Sequence, residues 1–129
     1  MRAILAALVM AFCVMSAAVA GPLEDGAAAY ARQDYALAVQ WYRKAADQGN
    51  ADAQFNLGVM YANGQGVLQD YVTAHKWFNL AVSGLSASET TQRNAAVTYR
   101  DRVAARMTPA QIAEAQRLAR EWKPTGGAK

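Results

Sequence analysis

The sequence predicts an all-α protein: a short α-solenoid of antiparallel helix pairs, about three helical hairpins long. Three observations predict it. The first is an internal repeat. Asp34-Tyr35-Ala36-Leu37-Ala38-Val39-Gln40-Trp41-Tyr42 aligns with Asp70-Tyr71-Val72-Thr73-Ala74-His75-Lys76-Trp77-Phe78, and Ala45 with Ala81, every pair 36 positions apart. The second is spacing. Tyr35, Ala38, Trp41, Tyr42 and Ala45 fall at i, i+3, i+6, i+7 and i+10, the pattern of one helix face. The third is composition. Alanine is abundant, only 3 residues are proline, and 53% are hydrophobic against 18% charged. That is a folded chain and not a disordered one, and its 129 residues suffice for one domain.

Residues 1–20 read as an export signal rather than as part of the fold. Arg2 gives a positive start, Ala3 to Met15 an uncharged apolar stretch, and Ala18-Val19-Ala20 a small-x-small cleavage pattern. Cys13, the one cysteine, lies inside the apolar stretch behind Phe12, which does not suit lipidation. Cleavage leaves a chain of residues 21–129 without cysteine, so its stability must come from packing and not from disulfides. The expected location is exported and periplasmic, with secretion as the alternative.

The helices follow in order. Leu23 to Arg32 reads as the first helix of a degenerate opening repeat (21–49). Asp34 is placed to cap a helix from Tyr35 to Gln48, and Gly49-Asn50 ends it. A helix from Ala51 to Ala62 opens the well-matched repeat (50–84), with Ala53, Leu57, Met60 and Tyr61 on one face. Gly58 costs roughly 1 kcal/mol relative to alanine in mid-helix, which suggests a close neighbour. Asn63-Gly64-Gln65-Gly66-Val67 is a glycine turn, and Asp70 caps a helix ending near Ser83-Gly84. A capping hairpin (85–123) closes the array. Its first helix spans roughly Ser88 to Arg106, with Ala95, Tyr99 and Val103 on one stripe. Its second starts at Thr108-Pro109 with Gln111 completing a capping box. Ile112, Ala115, Ala119 and Trp122 form its apolar stripe. Lys123-Pro124 ends it, leaving residues 124–129 as a disordered tail.

The run Ala51-Asp52-Ala53-Gln54-Phe55-Asn56-Leu57-Gly58-Val59-Met60-Tyr61-Ala62-Asn63-Gly64-Gln65-Gly66-Val67-Leu68-Gln69-Asp70-Tyr71 closely resembles the core of the Sel-one-like repeat. So does Trp41-Tyr42-Arg43-Lys44-Ala45-Ala46-Asp47-Gln48-Gly49-Asn50-Ala51. The match is strong from about Tyr35 to Val82 and weak over Leu23 to Arg32. The resemblance implies a tetratricopeptide-like superhelix in which the first helix of each pair lines a concave groove.

Few residues suit catalysis. His75 is the single histidine, at the position of Val39 one repeat earlier, and reads as a helix-surface residue. No second histidine builds a metal site. The glycine turn lacks the Lys-Ser/Thr ending of a phosphate loop, so positive-φ turn glycines are expected. Trp41, Trp77 and Tyr71 read as core. No catalytic residue, metal or cofactor is expected.

Charge is uneven. Residues 21–89 carry four basic against seven acidic side chains, net −3, and residues 90–129 eight against three, net +5. The basic end reads as a solvated cap face, with pairs such as Glu114 and Arg117. It is also suited to weak contact with an anionic envelope surface. Export disfavours nucleic acid.

Two functions are expected from the resemblance. The first is a non-enzymatic protein–protein interaction module, an adaptor, scaffold or regulator acting as a monomer. It would hold a partner peptide or helix on its concave face through Asp52, Phe55, Asn56, Val59 and Asn63, with Phe55 or Val59 as the exposed anchor. The alternative is an envelope hydrolase or β-lactam-binding protein, as linked to cysteine-rich relatives. This sequence departs from those relatives' paired cysteines.

Overall fold

The computed structural model describes residues 21–125, so the expected export signal and the last four residues lie outside it. Among the described residues there are six helices: α1 (Pro22–Ala31), α2 (Tyr35–Asp47), α3 (Ala51–Asn63), α4 (Tyr71–Gly84), α5 (Thr90–Ala104) and α6 (Pro109–Glu121). Their starts are chemically marked. Asp34, Asn50 and Asp70 each accept a hydrogen bond from the backbone N–H three residues on, at 3.3, 2.8 and 3.1 Å. Thr108 and Gln111 form the expected reciprocal capping box. Only α5 starts clearly later than its sequence suggests. Glu89 turns its carboxylate back to Ser86, accepting from its N–H at 2.8 Å and its hydroxyl at 3.1 Å. Residues 86–89 therefore form a turn instead of a first helical turn.

Each of α1 to α5 packs on its neighbours in sequence, and α3 also meets α5 across the stack. Alanines make the close contacts. Ala29, Ala38, Ala46 and Ala53 are fully buried around Leu57, Met60, Tyr42 and Trp77. A second cluster joins Ala74, Phe78 and Val103.

The two repeats share a backbone-level contact. A Cβ on Gly58 would lie 2.7 Å from the Phe78 ring, and one on Gly26 would lie 2.6 Å from the Tyr42 ring. Tyr42 and Phe78 are repeat partners, so each pair of helices seats an aromatic ring directly on a glycine of the preceding helix. The mid-helix glycine expected to admit a neighbour does so. Gly66, at φ 69°, lies so close to the Tyr35 carbonyl that a Cβ would stand 2.4 Å from its oxygen. Gly64 also has positive φ, as expected of a turn glycine.

The closing segment departs from a simple hairpin. After α5 the chain turns so that α6 lies chiefly on α4. Trp122 at its end meets the Trp77 ring edge-on, with centroids 6.3 Å apart. Thr125 then donates from its N–H and hydroxyl to the Asp47 carbonyl, at 2.7 and 3.2 Å. The expectation of a disordered tail from residue 124 is thus corrected at Thr125, which is tied to the end of α2. Along α6, Arg117 bridges Glu114 and Glu121, each at 2.6 Å.

Candidate functional site

The first helices of the pairs, α1, α3 and α5, leave a groove between them. Its walls come from one stripe of α3 and one of α5. On α3 the spacing of Asp52, Phe55, Asn56, Val59 and Asn63 places them on one face. On α5, Gln92, Ala95, Tyr99 and Arg102 recur at i, i+3, i+7 and i+10, and Arg106 follows in the turn just past the helix end. The two stripes meet in matching order, so the helices run parallel along the groove.

Three cavities follow that course. Asp52 and Phe55 face Gln92 and Ala95 across a notch of about 190 Å³ floored by Leu85. Phe55, Asn56 and Val59 then meet Tyr30, Tyr42 and Tyr99 around a central cavity of about 230 Å³. Asn63 shares the last, of about 410 Å³, with Tyr71, Tyr99, Arg102 and Arg106. The structure thus brings all five sequence-derived positions to one groove.

It changes the role of two of them. Phe55 is half-buried and not an exposed anchor. Its ring lies 5.7 Å from that of Phe78 and 5.3 Å, edge-on, from that of Tyr99. Val59 is also half-buried, against the same cluster. Both are walls of the groove held in place by the core, because the stripe facing the groove is continuous with the stripe facing α4 and α5. The accessible aromatic surface belongs instead to Tyr30, 38% exposed, and Tyr99, 37% exposed. Gln65 donates to the Tyr30 hydroxyl at 3.3 Å and fixes that ring at the groove's edge. Gln69 donates to the Ala62 carbonyl at 2.9 Å and to the Tyr71 hydroxyl at 3.1 Å, shaping the basic end. Tyr30, Tyr99, Arg102 and Arg106 were missed as groove residues. The signal for Tyr99 and Arg102 is their period along α5, hidden because that helix lies outside the repeat alignment, and Arg106 sits in the turn after it.

His75 corrects another expectation. It is buried, at 3% exposure, between α4 and α5 rather than on the surface. Its Nδ1 meets the Asn79 amide at 3.2 Å, and Asn79 accepts from Arg100, also at 3.2 Å. Burial first, and then the Arg100 charge, hold its pKa below the usual histidine value, with Asp101 opposing. Trp41 is corrected as well. It is half-buried, with the Lys44 ammonium 5.6 Å from its ring, whereas Trp77 is buried. No cluster of three or more metal-ligating side chains occurs among the described residues, and no described helix is long and apolar enough to cross a membrane.

A family model for the Sel1 repeat matches residues 18–50 and again 51–84. The chain belongs to the Sel1 repeat family. The matched units correspond to α1–α2 and α3–α4, so the opening pair is a recognisable Sel1 repeat in its own right. Sel1 repeats are generally protein-interaction modules and typically non-catalytic. Comparisons with curated proteins and with solved structures gave no significant match. In this Sel1 repeat chain α5 and α6 follow the second matched unit, and α5 supplies one wall of the groove while α6 packs on α4.

Proposed function

We propose that this chain is an exported, non-enzymatic adaptor or scaffold that holds a segment of a partner protein in the groove between α3 and α5. One observation carries the reading: the groove is continuous along α3, its aromatic walls are braced by the core, and nothing from α6 covers it because α6 lies on α4. A braced wall suits binding, since little side-chain freedom remains to be lost when a partner docks.

The test uses Asn56, which lines the central cavity without belonging to either core cluster. Asn56→Arg should weaken partner capture from envelope extract by about tenfold or more while far-UV circular dichroism stays unchanged. Equal capture by both proteins would rule the groove out. For export, fractionation and amino-terminal sequencing should find the protein in the periplasm beginning at Gly21. A cytoplasmic protein that keeps Arg2 would end that part of the reading.

A further inference from the structure

We infer that the groove selects, from its partner, an extended segment carrying an apolar side chain and, about three residues away, an aspartate or glutamate. The inference rests on the groove being the partner site, and adds to it the chemistry of what binds.

The argument is one of charge, shape and length. The groove is electrically graded. Asp52 stands at the end where α3 begins, and Arg102 and Arg106 stand at the end where it finishes. Neither arginine has a carboxylate within 4 Å among the described residues, whereas Arg100 and Arg117 on the same closing segment do. Arg102 lies over the Tyr99 ring, 5.5 Å from its centroid, so its guanidinium is held at the boundary between the aromatic and the basic cavity. Two guanidinium groups lining one cavity, Arg102 on the last turn of α5 and Arg106 in the turn just past it, with the Tyr71 hydroxyl and Asn63 beside them, form a donor set for a carboxylate. The central cavity offers Tyr30, Val59 and Tyr99 to an apolar side chain.

Length fixes the spacing. The 13 residues of α3 span about 20 Å, which an extended strand of about six residues covers. Arg102 lies about one helical turn past Tyr99 on α5 and Arg106 stands in the turn just beyond the helix end, so the basic cluster reaches to about 10 Å from Tyr99, or about three extended residues. A helix in the groove would present its acidic residue at a different interval, so the spacing also reports the occupant's conformation. The partner is thus distinguished from a lipid surface or an anionic polymer, which carry charge but no apolar side chain at fixed distance.

A random heptapeptide library panned against the protein tests this. Enriched peptides should share an apolar residue and an acidic one about three positions apart. A synthetic peptide of that sequence should bind about tenfold more weakly when its carboxylate becomes an amide, and more weakly at about 500 mM than at about 50 mM salt. Arg102→Gln with Arg106→Gln should produce the same loss, with no further loss when both changes are combined. Circular dichroism confirms that the variant is folded. Enrichment of apolar peptides without an acidic preference would overturn the inference and leave the groove reading intact. So would an acidic preference that survives in the arginine variant. No enrichment at all would overturn both. Binding to phosphatidylglycerol vesicles that depends on the arginines, without peptide selection, would assign them to a membrane surface and overturn the inference.

Discussion

The two repeats match at most of their core positions, and burial differs at one of them. Ala38 and Ala74, Tyr42 and Phe78, and Ala45 and Ala81 are buried in both. The tryptophans are not alike. Trp77 is 4% exposed because it sits in the core cluster with residues of α1 to α3 and Trp122, just past α6, meets it edge-on. Trp41 stands at the equivalent point on α2. It has no aromatic ring stacked on it among the described residues and is only half-buried, with the Lys44 ammonium beside its ring. A repeat motif therefore specifies a contact surface, and burial is decided by the unit stacked against it.

Changing the tryptophans tests that difference most strongly. Trp77→Ala should cost about 3–5 kcal/mol in urea unfolding, and Trp41→Ala at most about half as much. Equal losses would mean that position within the repeat, and not its neighbour, sets the energetics. The glycines should behave alike in both copies. Gly26→Ala and Gly58→Ala should each destabilise by about 1–3 kcal/mol, even though alanine is the better helix former. A gain in stability from either would show that the aromatic ring can retreat from the backbone.

The smallest effect separates Val39 from His75, repeat partners that are both buried. Only the histidine titrates. Its folded pKa is lowered, so the unfolded chain takes up a proton first as the pH falls. Its contribution is complete above the ordinary value of 6.5 and shrinks as the pH drops through and below it. Thermal unfolding of the wild type should therefore lose stability between about pH 7 and pH 5. His75→Val should flatten that slope, whatever it does to stability at neutral pH. An unchanged slope would place the titrating group elsewhere.

The sequence made most of the helices legible because their information is local. Asp34, Asp70 and the Thr108–Gln111 pair are capping chemistry within a few residues, and the glycine turn carries its own backbone requirement. Gly58 was readable as a close approach, but its partner ring was not, since that contact lies between helices. Burial of His75 was legible in principle: its repeat partner is a valine, and an apolar residue at a repeat position marks a packed face. The destination of α6 was not legible. Its apolar stripe says that one face is buried and is silent on whether α5 or α4 buries it. Arg102 and Arg106 stood out only as charge, because their juxtaposition with Asn63 exists only once α5 lies beside α3.

Thr125 and Asp47 are 78 residues apart, and their hydrogen bonds join the last described residue to the first repeat. An array in which each unit touches only the next melts from its ends inward, like a zipper. Here the final turn of chain returns past the second repeat to the first, with Trp122 seated over Gly49 and against Trp77 along the way. The closing segment is thereby tied to α2 as well as to α4. Two repeats and a cap should behave as a single cooperative unit, in which loosening the carboxy terminus is felt at α2 as directly as at α6.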